Sequence, residues 1–223
     1  MRGRRRCRRS SRPFTGREHA DRAPERHPHP LPVPVHITTG NHDDPAALLA
    51  AFAGTPYLGG GEETRYSVEY PEATVIALDS RRPDSPAGLL GAEQLAWLDA
   101  VLTERPDVPA LLCLHHPPVA VGIPFLDGMR LDDGPALAEV VARHPRVVRI
   151  LTGHVHRMVL APFAGSLVAT APSTYRQTAL RMHDDRPPGY LAEPTGFLLH
   201  QSTETGWVTH SVAASHAGAV LGI

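Results

Sequence analysis

The chain has 223 residues and a mass of 24.1 kDa, the length of one domain or one domain plus a tail. Its apolar fraction of 42% is enough to fill a core, which excludes a globally disordered or collagen-like chain. The longest apolar stretches, such as 108–114 and 217–223, fall well short of the ~20 residues a membrane helix needs, so no membrane partner is expected.

Two cysteines, Cys7 and Cys113, build no disulfide framework and point to a reducing cytoplasm. The net charge of −1 conceals an asymmetry. Residues 1–36 hold 10 Arg against 3 acids (Glu18, Asp21, Glu25), a charge of +7. Residues 37–223 hold the other 12 Arg against 20 acids, a charge of −8. Every basic residue is Arg, a mark of coding bias rather than of chemistry.

The head, residues 1–30, has almost no apolar periodicity, and its composition predicts disorder. Three readings fit it. It is an arm for phosphate backbones, a targeting peptide, or non-native translation ahead of the true coding region. The arm lacks interleaved aromatics, with only Phe14 for stacking. The targeting reading lacks the apolar stretch a secretory signal requires. The third reading is preferred, and a nucleic-acid partner is not expected.

From Leu31 the character changes. Val33–Thr39 is β-branched, ends at Gly40 and predicts a strand. Asp44-Pro45 starts a helix through Phe52, with Asp44 as N-cap and Pro45 at the first helical position. Strands are predicted at 65–70 and 74–79, a Pro/Gly-rich loop at 80–91, and an amphipathic helix at 92–105 carrying Leu95, Leu98 and Leu102. A strand at 110–114 follows, then a loop to 131, a helix at 135–143, a strand at 147–151 and a loop at 153–157. The tail reads as strands at 159–163, 167–171, 177–182, 196–201 and 207–212. Strand–helix alternation followed by a β-rich tail predicts a layered α/β fold.

Three loops follow apolar strands, and each opens on similar chemistry: Gly40-Asn41-His42-Asp43-Asp44, His115-His116-Pro117-Pro118 and Gly153-His154-Val155-His156. Ligands in α/β sheets bind past the carboxyl ends of strands, and imidazoles with an amide oxygen suit Zn, Mn, Fe or Ni. Any one of these loops alone reads as a capped loop or a surface histidine. All three together read as a metal site. His144 reads as a helix C-terminal cation, and Cys113 as a buried small hydrophobe. His183, His200, His210 and His216 lack ligand spacing. His19, His27, His29 and His36 fall mostly in the head, where His27 and His29 would bind metal only opportunistically.

On TTGNHDD (38–44), LLCLHHPPV (111–119) and LTGHVHR (151–157) the chain resembles the calcineurin-like metallophosphoesterase superfamily, in particular its bacterial class III 3′,5′-cyclic-nucleotide phosphodiesterase branch. ALDS (77–80) with LLGAEQLAWL (89–98), and APSTYRQ (171–177) with PTGFLLH (194–200), add support. The resemblance implies a double β-sandwich flanked by helices over residues 31–223, with two divalent ions (Mn, Fe, Zn or similar) at one end. It implies hydrolysis of phosphodiesters by metal-activated hydroxide, with 3′,5′-cyclic nucleotides as substrate. Asn41, His115 and His154 would hold the second metal and His156 the first. His42 would contact the scissile phosphate and protonate the leaving group.

The family's Asp-x-His and Gly-Asp motifs have no counterpart here; the only Asp before Asp43 is Asp21. The resemblance therefore implies a partial domain lacking the first β-α-β unit, holding one ion and turning over little or not at all. Two alternatives stand beside the enzyme: a binding protein that keeps the half-site, and a nucleic-acid binder using the arm. The oligomeric state is left open.

Overall fold

The computed structural model describes residues 33–214. The arginine-rich head, with His19, His27 and His29, lies outside them, as do His216 and the apolar stretch 217–223.

Pro45–Phe52 forms α1, capped by Asp44, whose carboxylate accepts from the backbone N–H groups of Ala46 (2.8 Å) and Ala47 (3.4 Å). A short 3₁₀ turn follows at Pro56–Leu58. Then come β1 (Tyr66–Glu69), β2 (Thr74–Ala77), α2 (Gly91–Glu104) and β3 (Ala110–Cys113). Next are α3 (Pro124–Asp127), α4 (Gly134–Arg143), β4 (Val147–Thr152), β5 (Val159–Phe163) and β6 (Ser166–Thr170). The tail adds β7 (Gln177–Thr178), β8 (Tyr190–Leu191), β9 (Gly196–Thr203) and β10 (Gly206–Ala213).

One six-stranded sheet runs in the order β1-β2-β3-β4-β6-β5. Its inner strands β2, β3, β4 and β6 are parallel, and the outer β1 and β5 are antiparallel. Parallel neighbours need crossover connections, which α2 supplies between β2 and β3, and α3 with α4 between β3 and β4. The inner strands are rich in apolar residues because parallel strands are covered on both faces. Ile76, Leu112, Ile150 and Val168 meet Leu98 and Leu102 of α2 and Leu137, Val140 and Val141 of α4 in one buried cluster. At ~25 cal/mol per Å² of buried apolar surface, this cluster is the main stabilising element. The result is a mixed α/β fold whose central sheet is flanked by helices.

Beside this sheet the described residues hold the β9–β10 hairpin and the small β7–β8 pair. Arg149 of β4 ties the hairpin down by donating to the carbonyl of Trp207 and to Thr209 Oγ1 (3.4 Å).

Two strand expectations are corrected. Residues 33–39 form no strand, because Pro34 offers no ladder N–H and the segment spends its groups elsewhere. Ile37 N donates to Tyr57 O (3.1 Å), and its own carbonyl accepts from Tyr66 Oη (2.7 Å). Thr38 Oγ1 donates to Leu78 O (3.2 Å). The strand expected at 177–182 shrinks to Gln177–Thr178, because the chain turns at once, with Ala179 N on Gly189 O and Arg181 N on Ala179 O. Helix α3 and strand β8 were not anticipated. Cys113 is only partly buried as a residue, although burial of its thiol pushes the pKa up to about 11.

Candidate metal centre

Parallel pairing of β2, β3 and β4 puts their carboxyl ends side by side, and the chemistry sits just past those ends. The ladder runs beyond the strands. Leu114 N donates to Leu151 O (3.0 Å) and Gly153 N to His115 O (3.0 Å), so the loops carrying His115 and His154 are pinned together by backbone. The Asn41–His42 tip is closed by Asp43 N on Gly40 O (3.1 Å) and by Gly40 N on the Asp43 carboxylate (2.7 Å). A side chain at Gly40 would place its Cβ 3.1 Å from the His115 ring, so glycine here lets the two loops close.

Asn41, His115 and His154 come together. The Nε2 of His115 lies 2.9 Å from Asn41 Oδ1 and 3.3 Å from His154 Nδ1. Ligands at 2.0–2.1 Å from one ion, at tetrahedral to right-angle geometry, stand about 2.9–3.4 Å apart. The donor spacing thus fits a divalent cation, and the donor types, two imidazoles and an amide oxygen, suit a transition metal. Burial, then the neighbouring histidine charges, hold the imidazoles neutral: His115 is pushed down to about 3 and His154 to about 4. His154 Nε2 is buried without a hydrogen-bond partner.

His156 stands beside this trio. Burial, then the charge of Arg176, lowers its pKa, its ring packs on Tyr190 (5.8 Å between centroids), and its Nδ1 is buried without a partner. His42 is exposed at the loop tip, close enough that its charge lowers the pKa of His115, His154 and His156.

His154 and His156 both have positive φ, 64° and 53°. This conformation costs a non-glycine residue of order 1–3 kcal/mol and collects at functional sites. Between them Val155 is fully buried against Ile123 and Leu126, and its N–H bonds Gly153 O (2.6 Å). The anchored valine and two left-handed neighbours set both imidazoles through the backbone. The sequence offered no signal of this beyond the preceding glycine.

His116 also has a ring nitrogen near those of His115 and His154, the three within 4.8 Å of one another, yet it is not a free donor. Its Nδ1 accepts from Ser80 Oγ (2.9 Å) and its Nε2 donates to Pro86 O (3.1 Å), so both nitrogens are committed. No carboxylate among the described residues joins this histidine cluster.

Sequence reasoning also missed Asp79, within ALDS. Its carboxylate accepts from Thr39 Oγ1 (2.6 Å), Thr64 Oγ1 (2.7 Å) and Arg81 N (2.9 Å). Its backbone N–H and carbonyl are matched by the side-chain amide of Gln94, both at 2.8 Å. Asp79 thereby holds the residue just before Gly40-Asn41. Among the described residues no helix is long and apolar enough to cross a membrane.

Comparison with known proteins adds to this geometry. A glycerophosphodiester phosphodiesterase, GpdQ, from Enterobacter lignolyticus is 30% identical over 188 residues, 83% of this chain and 67% of that protein. A probable cyclic nucleotide phosphodiesterase from Synechococcus is 37% identical over 147 residues, 66% of this chain and 55% of its own length. The 3′,5′-cyclic adenosine monophosphate phosphodiesterase CpdA of Escherichia coli is 31% identical over 135 residues, 60% of this chain and 48% of that protein. Among solved structures, a dimetal phosphatase from Danio rerio shares the fold, with a TM-score of 0.57 at 17% identity, covering 80% of this chain and 69% of that one. The calcineurin-like phosphoesterase profile matches residues 15–158, spanning the Asn41, His115 and His154 loops, and the chain belongs to that family.

Proposed function

We propose that this chain hydrolyses phosphodiesters with 3′,5′-cyclic nucleotides as its substrate class, using a divalent ion held by Asn41, His115 and His154. The observation that carries the reading is the approach of Asn41 Oδ1 and His154 Nδ1 to His115 Nε2, at 2.9 and 3.3 Å. A divalent ion in that position supplies Lewis-acid polarisation of a phosphoryl oxygen and a water that deprotonates near neutral pH. The chain's own residues do the rest. Neutral His115 and His154 present lone pairs without first losing a proton. His42, exposed at the tip beside them, is placed to protonate the departing alkoxide as general acid. His156 is the one described residue left for a second position, too few to hold a second ion, so one ion per chain is expected.

The substrate class follows the relatives named as cyclic nucleotide phosphodiesterases, with glycerophosphodiesters as the competing diester. A second reading is a protein that binds metal and phosphate without turnover. It is favoured by the lack of a carboxylate in the histidine cluster among the described residues, since an ion held only by neutral donors is bound less tightly.

Two measurements separate these readings. Titration of the chain with Mn²⁺ should give one ion per chain, lost in His115→Ala. Turnover of bis(p-nitrophenyl) phosphate, 3′,5′-cyclic AMP and glycerophosphocholine should follow metal loading, with the cyclic nucleotide preferred. Binding without turnover would establish the second reading, and no metal binding would overturn both.

A further inference from the structure

Most arginines in the described residues give the guanidinium to a definite partner. Arg157 meets Glu193 (2.8 Å), Arg143 meets Asp99 (2.9 Å), and Arg105 reaches Thr74 and the Tyr70 carbonyl. The guanidinium of Arg176 makes no hydrogen bond or ion pair among the described residues, and its Nε is buried without a partner. Arg81 shares that condition but lines a cleft with Glu62, Glu63 and Glu93, whose charges repel an anion.

The surroundings of Arg176 differ. Its guanidinium lies over the ring of Tyr190 at 3.7 Å and near that of Tyr175 at 5.3 Å, and the ring of Tyr190 also packs against that of His156. The backbone beneath it is fixed. Arg176 N bonds Ser173 Oγ (3.3 Å), and Gln177 brackets the backbone of Ser173 through both amide atoms. A guanidinium stacked on an aromatic ring is pre-oriented, loses little freedom on binding, and presents a flat fork suited to two oxygens of a phosphoryl group.

We propose that Arg176 is the anion-contacting residue of this site, its guanidinium braced on Tyr190 and taking non-bridging phosphoryl oxygens beside His156. The identity of the anion rests on the phosphodiester reading above.

Inorganic phosphate is the probe, titrated calorimetrically into the full chain with and without Mn²⁺. Arg176→Met should weaken phosphate binding by about tenfold or more, the effect of losing a charge-assisted hydrogen bond. Mn²⁺ affinity and the thermal midpoint should be unchanged. Arg176→Gln, which keeps a planar polar head against Tyr190, should lose the same affinity, and Arg176→Lys should recover part of it. Equal phosphate affinity in the wild type and the folded variants overturns the assignment, as does a wild type that binds no phosphate. A wild type that binds phosphate but no Mn²⁺ sinks the hydrolase reading, while the metal-free comparison still decides the role of Arg176.

Discussion

Ser80 and His116 hold each other by a reciprocal pair of hydrogen bonds. The serine hydroxyl donates to the imidazole Nδ1 at 2.9 Å and accepts the backbone N–H of the same histidine at 3.2 Å. Both residues are fully buried. The pair fixes the neutral tautomer of His116, with its proton on Nε2 facing Pro86 O, and so steadies the strand end that presents His115. Replacing Ser80 by Ala leaves a buried ring nitrogen and an N–H unpaired. The expected loss is about 1–3 kcal/mol in urea unfolding, with Mn²⁺ stoichiometry retained.

Gly88 is the steric counterpart of that pair. A Cβ there would lie 2.5 Å from Cγ of His116, closer than real Cβ contacts come, and the backbone of Gly88 is not left-handed, so it is space and not φ that calls for glycine. Gly88→Ala should therefore destabilise by about 1–3 kcal/mol through overpacking. Thermal unfolding beside Ser80→Ala and the double variant reads it. Because both changes act on one ring, their effects should be less than additive.

Asp79→Ala removes the acceptor for Thr39, Thr64 and the Arg81 N–H at once. The Gly40–Asn41 turn loses its tether to β2. The expected result is a Mn²⁺ affinity weakened by roughly 10–100-fold, the range for a residue that orients ligands, along with a lower melting temperature. Unchanged metal affinity would show that the turn at Gly40–Asp43 stands without the tether.

Tyr66 predicts an alkaline limit to stability. Its hydroxyl donates to Ile37 O, and burial pushes its pKa from 10.0 up to about 12. Below pH 10 the tyrosine is neutral in both folded and unfolded chains, and its contribution is constant. Between pH 10 and 12 the unfolded chain releases the proton and the folded one keeps it, so stability falls as pH rises. Urea midpoints across this range should decline, and Tyr66→Phe should flatten that decline.

Cys113 should resist alkylation. Its thiol pKa is pushed up to about 11 by burial, which leaves almost no thiolate at neutral pH. Peptide mapping after iodoacetamide at pH 8 should find Cys113 unmodified in the native chain and modified in urea.

Much of this was legible in the sequence, and what was not had physical causes. The parallel order of β2, β3 and β4 follows from strand–helix alternation, and it explains how the His115 and His154 loops reach one edge; the Asn41 loop is brought there by the bonds of Thr38 and Thr39 to Leu78 O and the Asp79 carboxylate. Asp44 capped its helix as its position implied. The segment 33–39 looked like a strand because β-branched residues say nothing about whether a partner takes their N–H groups. The commitment of His116 to Ser80, and the stacking of Arg176 on Tyr190, join residues 36 and 14 positions apart, beyond the reach of local pattern. Backbone handedness at His154 and His156 is invisible to periodicity altogether.

That handedness sets durability against reactivity in one short loop. Glycine at 154 or 156 would relax the chain and lengthen the life of the folded state, yet remove an imidazole from the cluster. A loop with glycine at both positions would hold its shape at lower cost and carry neither imidazole.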